Sequence, residues 1–156
     1  AKALALREIC LEGAPVLLAI ATPVVQFVDA LGGLVRDMFE TMYAAPGSGL
    51  AAPQVGVSQR VFVVDTEWKE ADPDPMLFVN PRIVGRADVQ TDGEEACLSI
   101  PGKRFLVARP EWIEMEWQDL DGTAQSGRFA GVQAVCVCHE FDHLNGVLIT
   151  QSGTQL

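Results

Sequence analysis

The chain has 156 residues, of which 49% are hydrophobic and 21% are charged, and its formal net charge is −10. This length suffices for one domain with a sizeable core, so we expect a single domain over residues 1–156. The acidic balance disfavours direct binding to nucleic acid, because phosphate binding requires a clustered basic surface.

The first 26 residues are apolar and are interrupted by Pro15 and Pro23, a pattern that predicts an extended arm packed over the body. Their start, Ala1–Leu4, shows no cleavable signal peptide. No apolar run in the chain reaches the roughly 18 residues that a membrane span needs. We therefore expect a cytoplasmic protein without membrane association, whose cysteines are reduced thiols.

A helix is predicted from about residue 25 to residue 43, because apolar side chains recur there at helical spacing. They are Phe27, Leu31, Leu34, Val35, Met38, Phe39 and Met42. The segment Gly47–Gly56 follows and contains three glycines among small residues. Such a segment suits a backbone that lies close to a ligand, and it lacks the pattern of a phosphate-binding loop.

Short runs rich in valine and phenylalanine predict strands at Val61–Asp65 and Met76–Asn80, and Trp112–Trp117 is a weaker candidate. Asp121 and Gly122 form a hairpin-turn signal directly after the third run. A helix first, strands in the middle and a helix last predict an α+β domain. We expect its mixed or antiparallel strands to pack around the C-terminal helix.

That C-terminal helix contains the only two histidines of the chain, His139 and His143, with Glu140 directly after the first. Residues four apart on a helix share a face, so the two imidazoles can bind one metal ion. Glu140 can then reach a metal-bound water as a general base. The alternative is a short apolar helix with two buried histidines. The same helical rhythm places Val132, Val135 and Cys136 on the predicted buried face.

A third metal ligand must lie upstream, because the residues after His143 include no histidine, cysteine or acid. A catalytic zinc-type site takes three protein ligands and keeps one position open. Cys97, in a predicted turn between strands, is the best-placed thiol. Cys10 belongs to the arm, while Cys136 and Cys138 share the histidine helix at poor spacing. Spacing alone leaves an Asp or Glu ligand open.

Three segments together resemble the signature motifs of peptide deformylases, in the same order and at similar separations. They are Gly47–Gln54, Glu94–Ser99 and His139–His143. The family motifs read G-x-G-[LI]-A-A-x-Q, E-G-C-[LV]-S and H-E-x-D-H. The similarity covers most of the chain, including Met38–Tyr43 and Asn80–Pro81. Three ordered motifs together are far more specific than any one of them.

The resemblance implies that Cys97, His139 and His143 bind one divalent metal ion, natively Fe(II), with Zn, Ni or Co as substitutes. It implies that Glu140 acts as general acid and base, moving a proton between the metal-bound water and the leaving amine. The implied substrate is an N-formyl-methionyl peptide or the N-terminus of a nascent chain. The implied product is formate, in the N-terminal processing that accompanies protein biosynthesis.

The resemblance also assigns roles around the metal. The Gln54 side chain and the Leu98 backbone N–H are implied to stabilise the oxyanion. The implied substrate-binding residues are Ser48, Gly49, Ala96, Arg104, Val132, Val135 and Cys136.

Two departures from the family pattern keep other functions open. Ala96 stands where the family has glycine, and Ser48 stands where members carry an apolar residue of the methionine pocket. The chain could therefore act on another small N-acyl substrate, or be a metal-binding module without activity. Glu140 and Gln54 disfavour the module, since a structural metal needs neither.

Ala96 also leads to a prediction. If the position requires a left-handed backbone, alanine costs about 1–2 kcal/mol there, and we predict that Ala96→Gly raises kcat/KM on formyl-methionyl peptides several-fold. The alternative is an extended residue, where alanine only reduces the space beside the substrate. Ribosome-docking members of the family continue beyond the equivalent of Leu156. For that reason, and because the chain is acidic, we expect weak ribosome association at most.

Overall fold

A computed structural model describes residues 6–156, so the prediction for Ala1–Leu4 lies outside the described residues. Residues 6–26 run over the body as the predicted arm, with one 3-10 turn at Pro15–Leu18. The arm is attached through its backbone: the Cys10 N–H donates to the Gln54 carbonyl at 2.7 Å. Within the turn, the Leu17 side chain is fully buried against the body.

Helix α1 spans Asp29–Ala44 and therefore begins later than residue 25. The Asn80 side chain accepts a hydrogen bond from the Val24 N–H at 2.8 Å and donates one to the Val24 carbonyl at 2.9 Å. These bonds hold the chain extended just before the helix, which local periodicity does not reveal. The buried face of α1 carries the predicted apolar residues Leu31, Leu34, Val35, Met38 and Met42.

The described residues form eight strands in two antiparallel sheets. The five-stranded sheet has the order β1-β2-β3-β6-β7, and the three-stranded sheet has the order β4-β5-β8. The strands are β1 Gly49–Ala51, β2 Val61–Val64, β3 Met76–Arg86, β4 Gln90–Cys97, β5 Ile100–Pro110, β6 Trp112–Gln118, β7 Ala124–Ala130 and β8 Thr154–Gln155.

The three predicted strands are present, and the turn signal at Asp121 and Gly122 joins β6 to β7. Strand β3 continues through Pro81 because Asn80 adopts a positive φ of 50° and the register shifts beside it. The sequence did not predict β1, β4, β5, β7 or β8. Strands β4 and β7 are largely exposed and polar, so they depend on pairing with a neighbour, not on their own composition.

Helix α2, Gly131–Leu144, packs against strands of both sheets, and a short helix α3 follows at Ile149–Ser152. The α2 side chains Ala134, Val137 and Leu144 are fully buried. Val132 was wrongly placed on the buried face, since it is 73% exposed. No helix of the described chain is long and apolar enough to cross a membrane.

Candidate metal centre and active site

Cys97, His139 and His143 meet in the buried interior between the two sheets. Cys97 ends strand β4, and the two histidines lie one turn apart on α2. Their candidate ligand atoms all lie within 4.8 Å of one another, with Cys97 Sγ 3.4 Å from His143 Nε2. One thiol and two imidazoles form a donor set that suits Zn, Fe, Co or Ni.

The electrostatics of the cluster favour one bound cation. Burial alone would lower the pKa of His139, but Cys97, Glu140 and Glu95 raise it to about 10. Burial, together with the charge of His139, lowers the pKa of His143 to about 3. His143 Nδ1 is buried and has no hydrogen-bond partner among the described residues. The thiol and carboxylates around His139 thus favour positive charge at this position, which a bound divalent metal ion would supply in place of a proton, because a ligating imidazole is neutral.

A buried ion-pair network fixes the orientation of His139. Its Nδ1 lies 2.9 Å from Glu95 Oε1, which leaves Nε2 for the metal position. Arg109 donates two hydrogen bonds of 2.9 Å to the Glu95 carboxylate and one of 2.6 Å to Asp142 Oδ2. Burial would raise the pKa of Glu95, but His139 and Arg109 hold it below its usual range. Such partners set the tautomer and basicity of a ligating histidine.

Sequence reasoning missed this network. Glu95 and Asp142 lie inside the recognised motifs, within two residues of a predicted metal ligand. This closeness in sequence was the only signal that could have indicated their role. Arg109 gave no signal, because it lies in β5, whose pairing with β4 was not predicted.

Glu140 is buried next to the cluster, on the floor of a cleft of about 620 Å³. Burial raises the pKa of Glu140 to about 7. Its Oε1 has no hydrogen-bond partner among the described residues. A buried carboxylate with a free oxygen and a near-neutral pKa can both accept and return a proton.

The Gln54 side chain is held in one orientation. Its Oε1 accepts the Ala51 N–H at 2.9 Å, and its Nε2 donates to Ser99 Oγ at 3.1 Å. The same Nε2 lies 3.7 Å from Cys97 Sγ. One amide N–H is thus donated to Ser99, and the other points toward Cys97 and the metal position. Ser99, which aids this orientation, was also missed from the sequence.

The cleft brings together most residues that the sequence assigned to substrate. Its lining includes the predicted residues Ser48, Gly49, Gln54, Ala96, Leu98, Val132, Val135, Cys136, His139 and Glu140. Arg104 does not line the cleft, in contrast to its prediction as a substrate-binding residue. Its guanidinium pairs with Glu94 at 3.0 Å, and both side chains are largely exposed.

Ala96 is an exposed residue of β4, at the edge of its sheet. Asn80 is the one non-glycine residue with positive φ in the described chain, so Ala96 has no left-handed strain. The condition under which Ala96→Gly would raise kcat/KM is therefore not met. The alanine instead adds a methyl group beside the cleft.

Three buried metal-type ligands, a proton-accepting carboxylate and oriented amide donors at the base of a cleft define a hydrolase-type metal site. Comparison of the sequence with known protein families identifies the family. Residues 6–156 match the family described as Polypeptide deformylase. The chain belongs to this family. It is an enzyme, a hydrolase with the activity of a peptide deformylase.

Curated relatives agree. The chain is 41% identical over 164 residues to a peptide deformylase of Novosphingobium aromaticivorans, covering 93% of this chain and 87% of that protein. It is 48% identical over 135 residues to a peptide deformylase of Brucella suis, covering 86% of this chain and 77% of that protein.

Solved structures share the fold. The peptide deformylase of Thermotoga maritima superimposes with a TM-score of 0.90 at 39% identity, covering 94% of this chain and 97% of that one. A class I type b peptide deformylase of Acinetobacter baumannii with bound Met-Ala-Ser gives a TM-score of 0.89 at 33% identity, covering 96% and 99%. The expected α+β fold, with an N-terminal helix and antiparallel sheets around the histidine helix, is confirmed.

Proposed function

We propose that the chain removes the formyl group from N-formyl-methionyl peptides, including the N-terminus of nascent chains, and releases formate. One observation carries the proposal: three buried ligand atoms converge beside the buried carboxylate of Glu140 at the base of a cleft. The relative with bound Met-Ala-Ser supports it, because that tripeptide is the deformylated form of such a substrate.

Cys97, His139 and His143 would hold one divalent metal ion, for which we propose Fe(II) as the native metal and Zn, Ni or Co as substitutes. The ion would supply Lewis acidity that polarises the formyl carbonyl and activates water for attack. Glu95 and Arg109 keep His139 correctly oriented for this role.

Glu140 acts as general base and then as general acid. It accepts a proton from the attacking water and returns it to the nitrogen of the leaving amine. Because burial raises its pKa to about 7, both transfers are close to balanced near neutral pH.

Gln54 Nε2 and the Leu98 backbone N–H stabilise the negative charge that develops on the formyl oxygen. Each well-placed donor of this kind contributes about 2.7–4 kcal/mol to the transition state. Gln54 is pre-oriented through its bonds to Ala51 and Ser99, so little reorganisation is needed during the reaction.

The peptide backbone binds between two sheet edges. Strand β1 is an edge strand of the five-stranded sheet, and β4 is an edge strand of the three-stranded sheet. Both strands contribute residues to the cleft. Edge strands have unpaired N–H and C=O groups that an extended peptide can use. On these two edges, Gly49 lies against Glu140, and Ala96 directly precedes Cys97 in the chain.

The methionine side chain of the substrate packs against Val132, Val135 and Cys136. Burial raises the pKa of Cys136 well above its usual range, so this wall stays uncharged. The Cys136 thiol donates a hydrogen bond to the Ser48 carbonyl at 3.4 Å, and this bond links helix α2 to the segment before β1.

The test is formate release from formyl-Met-Ala-Ser by protein loaded anaerobically with Fe(II), and in parallel with Zn, Ni or Co. We expect turnover that Glu140→Gln removes at unchanged metal content. Acetyl-Met-Ala-Ser is the matched control peptide. Hydrolysis of the acetyl peptide in preference to the formyl peptide would contradict the proposal and favour another N-acyl substrate.

A further inference from the structure

We propose that Lys69 makes the enzyme select N-formyl peptides with an acidic side chain at one of the two positions after the formylated residue. This inference rests on the proposed function and concerns the outer part of the same cleft.

Lys69 is the one lysine or arginine among the described residues that line the cleft. Besides the carboxylate at its base, the cleft lining contains two glutamates, and both already have basic partners. Glu94 pairs with Arg104 at 3.0 Å, and Glu95 pairs with Arg109 at 2.9 Å. No carboxylate of the described chain lies within ion-pair distance of Lys69. An acidic substrate group would therefore meet an unpaired cation.

Asp65, at the end of β2, holds the loop of residues 66–74 in place. Its Oδ1 accepts the Trp68 N–H at 3.1 Å, and its Oδ2 accepts the Asp74 N–H at 3.1 Å. Both ends of the loop are thus attached to one fully buried carboxylate.

Trp68 attaches the same loop to the wall of the cleft. Its indole N–H donates to the Gly47 carbonyl at 3.0 Å, and its ring packs edge-on against Tyr43, with centroids 5.2 Å apart. The Lys69 ammonium lies 5.7 Å from the centroid of the Trp68 ring. The lysine therefore projects from a fixed backbone and rests on an aromatic support at the rim.

The other charged residues of the loop are all acidic, but none of them lines the cleft. They are Glu67, Glu70, Asp72 and Asp74. Lys69 is therefore the one charged side chain that this loop contributes to the cleft lining.

The experiment compares peptides that differ only in charge. One pair is formyl-Met-Asp-Ala-amide and formyl-Met-Asn-Ala-amide, and the other is formyl-Met-Ala-Asp-amide and formyl-Met-Ala-Asn-amide. At one position or both, we expect kcat/KM to favour Asp over Asn by about two- to fivefold, the range of an exposed ion pair. This ratio should fall toward one in about 0.5 M salt, because salt screens exposed charges.

Lys69→Met should bring the Asp/Asn ratio to about one, and Lys69→Glu should invert it. Arg82→Met is the matched control, because it removes one positive charge from an exposed side chain that does not line the cleft. It should leave the ratio as in the wild type. Equal Asp/Asn ratios in the wild type and both Lys69 variants, at both positions, would overturn the inference.

A binding measurement separates this inference from the proposed function. The dissociation constants of the four deformylated peptides are measured by calorimetry on the same proteins. If no peptide releases formate, the proposed function fails, and the Asp/Asn ratio of dissociation constants still tests Lys69. An unchanged ratio in Lys69→Glu would then reject the role of Lys69 by itself.

Discussion

A β-carbon added at Gly49 would lie 2.6 Å from Oε2 of Glu140 and 2.9 Å from its Cγ. Real β-carbons essentially never approach so closely, so any side chain at this position must displace the carboxylate of Glu140. The glycine of the first motif is thus required by the glutamate of the third.

Gly49→Ala should lower kcat about 10- to 100-fold through displacement of Glu140, since a shift of about 1 Å can cost a factor of this size. Metal content should stay unchanged, because no ligand is touched. Steady-state kinetics and metal analysis test this. Gly93→Ala is the matched control, since a β-carbon there would meet no atom within 4 Å. Full activity in Gly49→Ala would show that Glu140 tolerates displacement.

Glu140→Gln should keep the metal and lose hydrolysis by about 10²- to 10⁴-fold, because the amide cannot accept the proton. Formate release and metal stoichiometry are measured on the same sample. Loss of metal in this variant would make Glu140 a ligand and contradict the proposed mechanism.

Cys97→Ala and His139→Ala should each abolish tight metal binding, because a cluster of three ligands cannot spare one. Cys10→Ala and Cys138→Ala are the controls and should bind metal at the wild-type ratio, since neither thiol belongs to the cluster. Metal analysis after dialysis distinguishes the two groups. Full occupancy in Cys97→Ala would refute the ligand assignment.

Arg109→Met should lower the free energy of unfolding by about 3–5 kcal/mol, because it leaves the buried Glu95 without its partner. Arg104→Met breaks the exposed pair with Glu94 and should cost less than about 1 kcal/mol. Urea unfolding of both variants gives the comparison. Equal effects would mean that the buried pair does not stabilise the fold more than the exposed one.

Asp65→Asn should destabilise the protein by about 1–3 kcal/mol at pH 7, because the amide leaves a buried donor without an acceptor. Burial would raise the pKa of Asp65, but Tyr43 and three backbone N–H groups hold it below its usual range. A lowered folded-state pKa stabilises above the ordinary carboxyl pKa of about 4, and this contribution is lost as the pH falls further.

The stability difference between the wild type and Asp65→Asn should therefore be full at pH 7 and shrink below about pH 4. Thermal unfolding across this range measures it. Asp72→Asn is the control at an exposed residue of the same loop, and its stability should stay within about 0.5 kcal/mol of the wild type. A difference that persists unchanged at pH 3 would contradict the role of the charge.

Local patterns in the sequence determined helix α1, strands β2, β3 and β6, and the pairing of His139 with His143 on one helical face. Helical spacing and valine-rich runs depend only on neighbours in the chain, so they can be read without the fold. The motifs also indicated Cys97 and Glu140, although spacing alone left the third ligand open.

Only the tertiary structure decided how Cys97 reaches the histidines, because the polar strand β4 forms through its pairing with β5. The same pairing brings Arg109 to Glu95, and the packing of α2 brings Glu95 to His139. The exclusion of Arg104 from the cleft and the position of Lys69 at its rim follow from contacts between residues distant in the chain. Local periodicity contains no information about such contacts, because they depend on how the two sheets enclose helix α2.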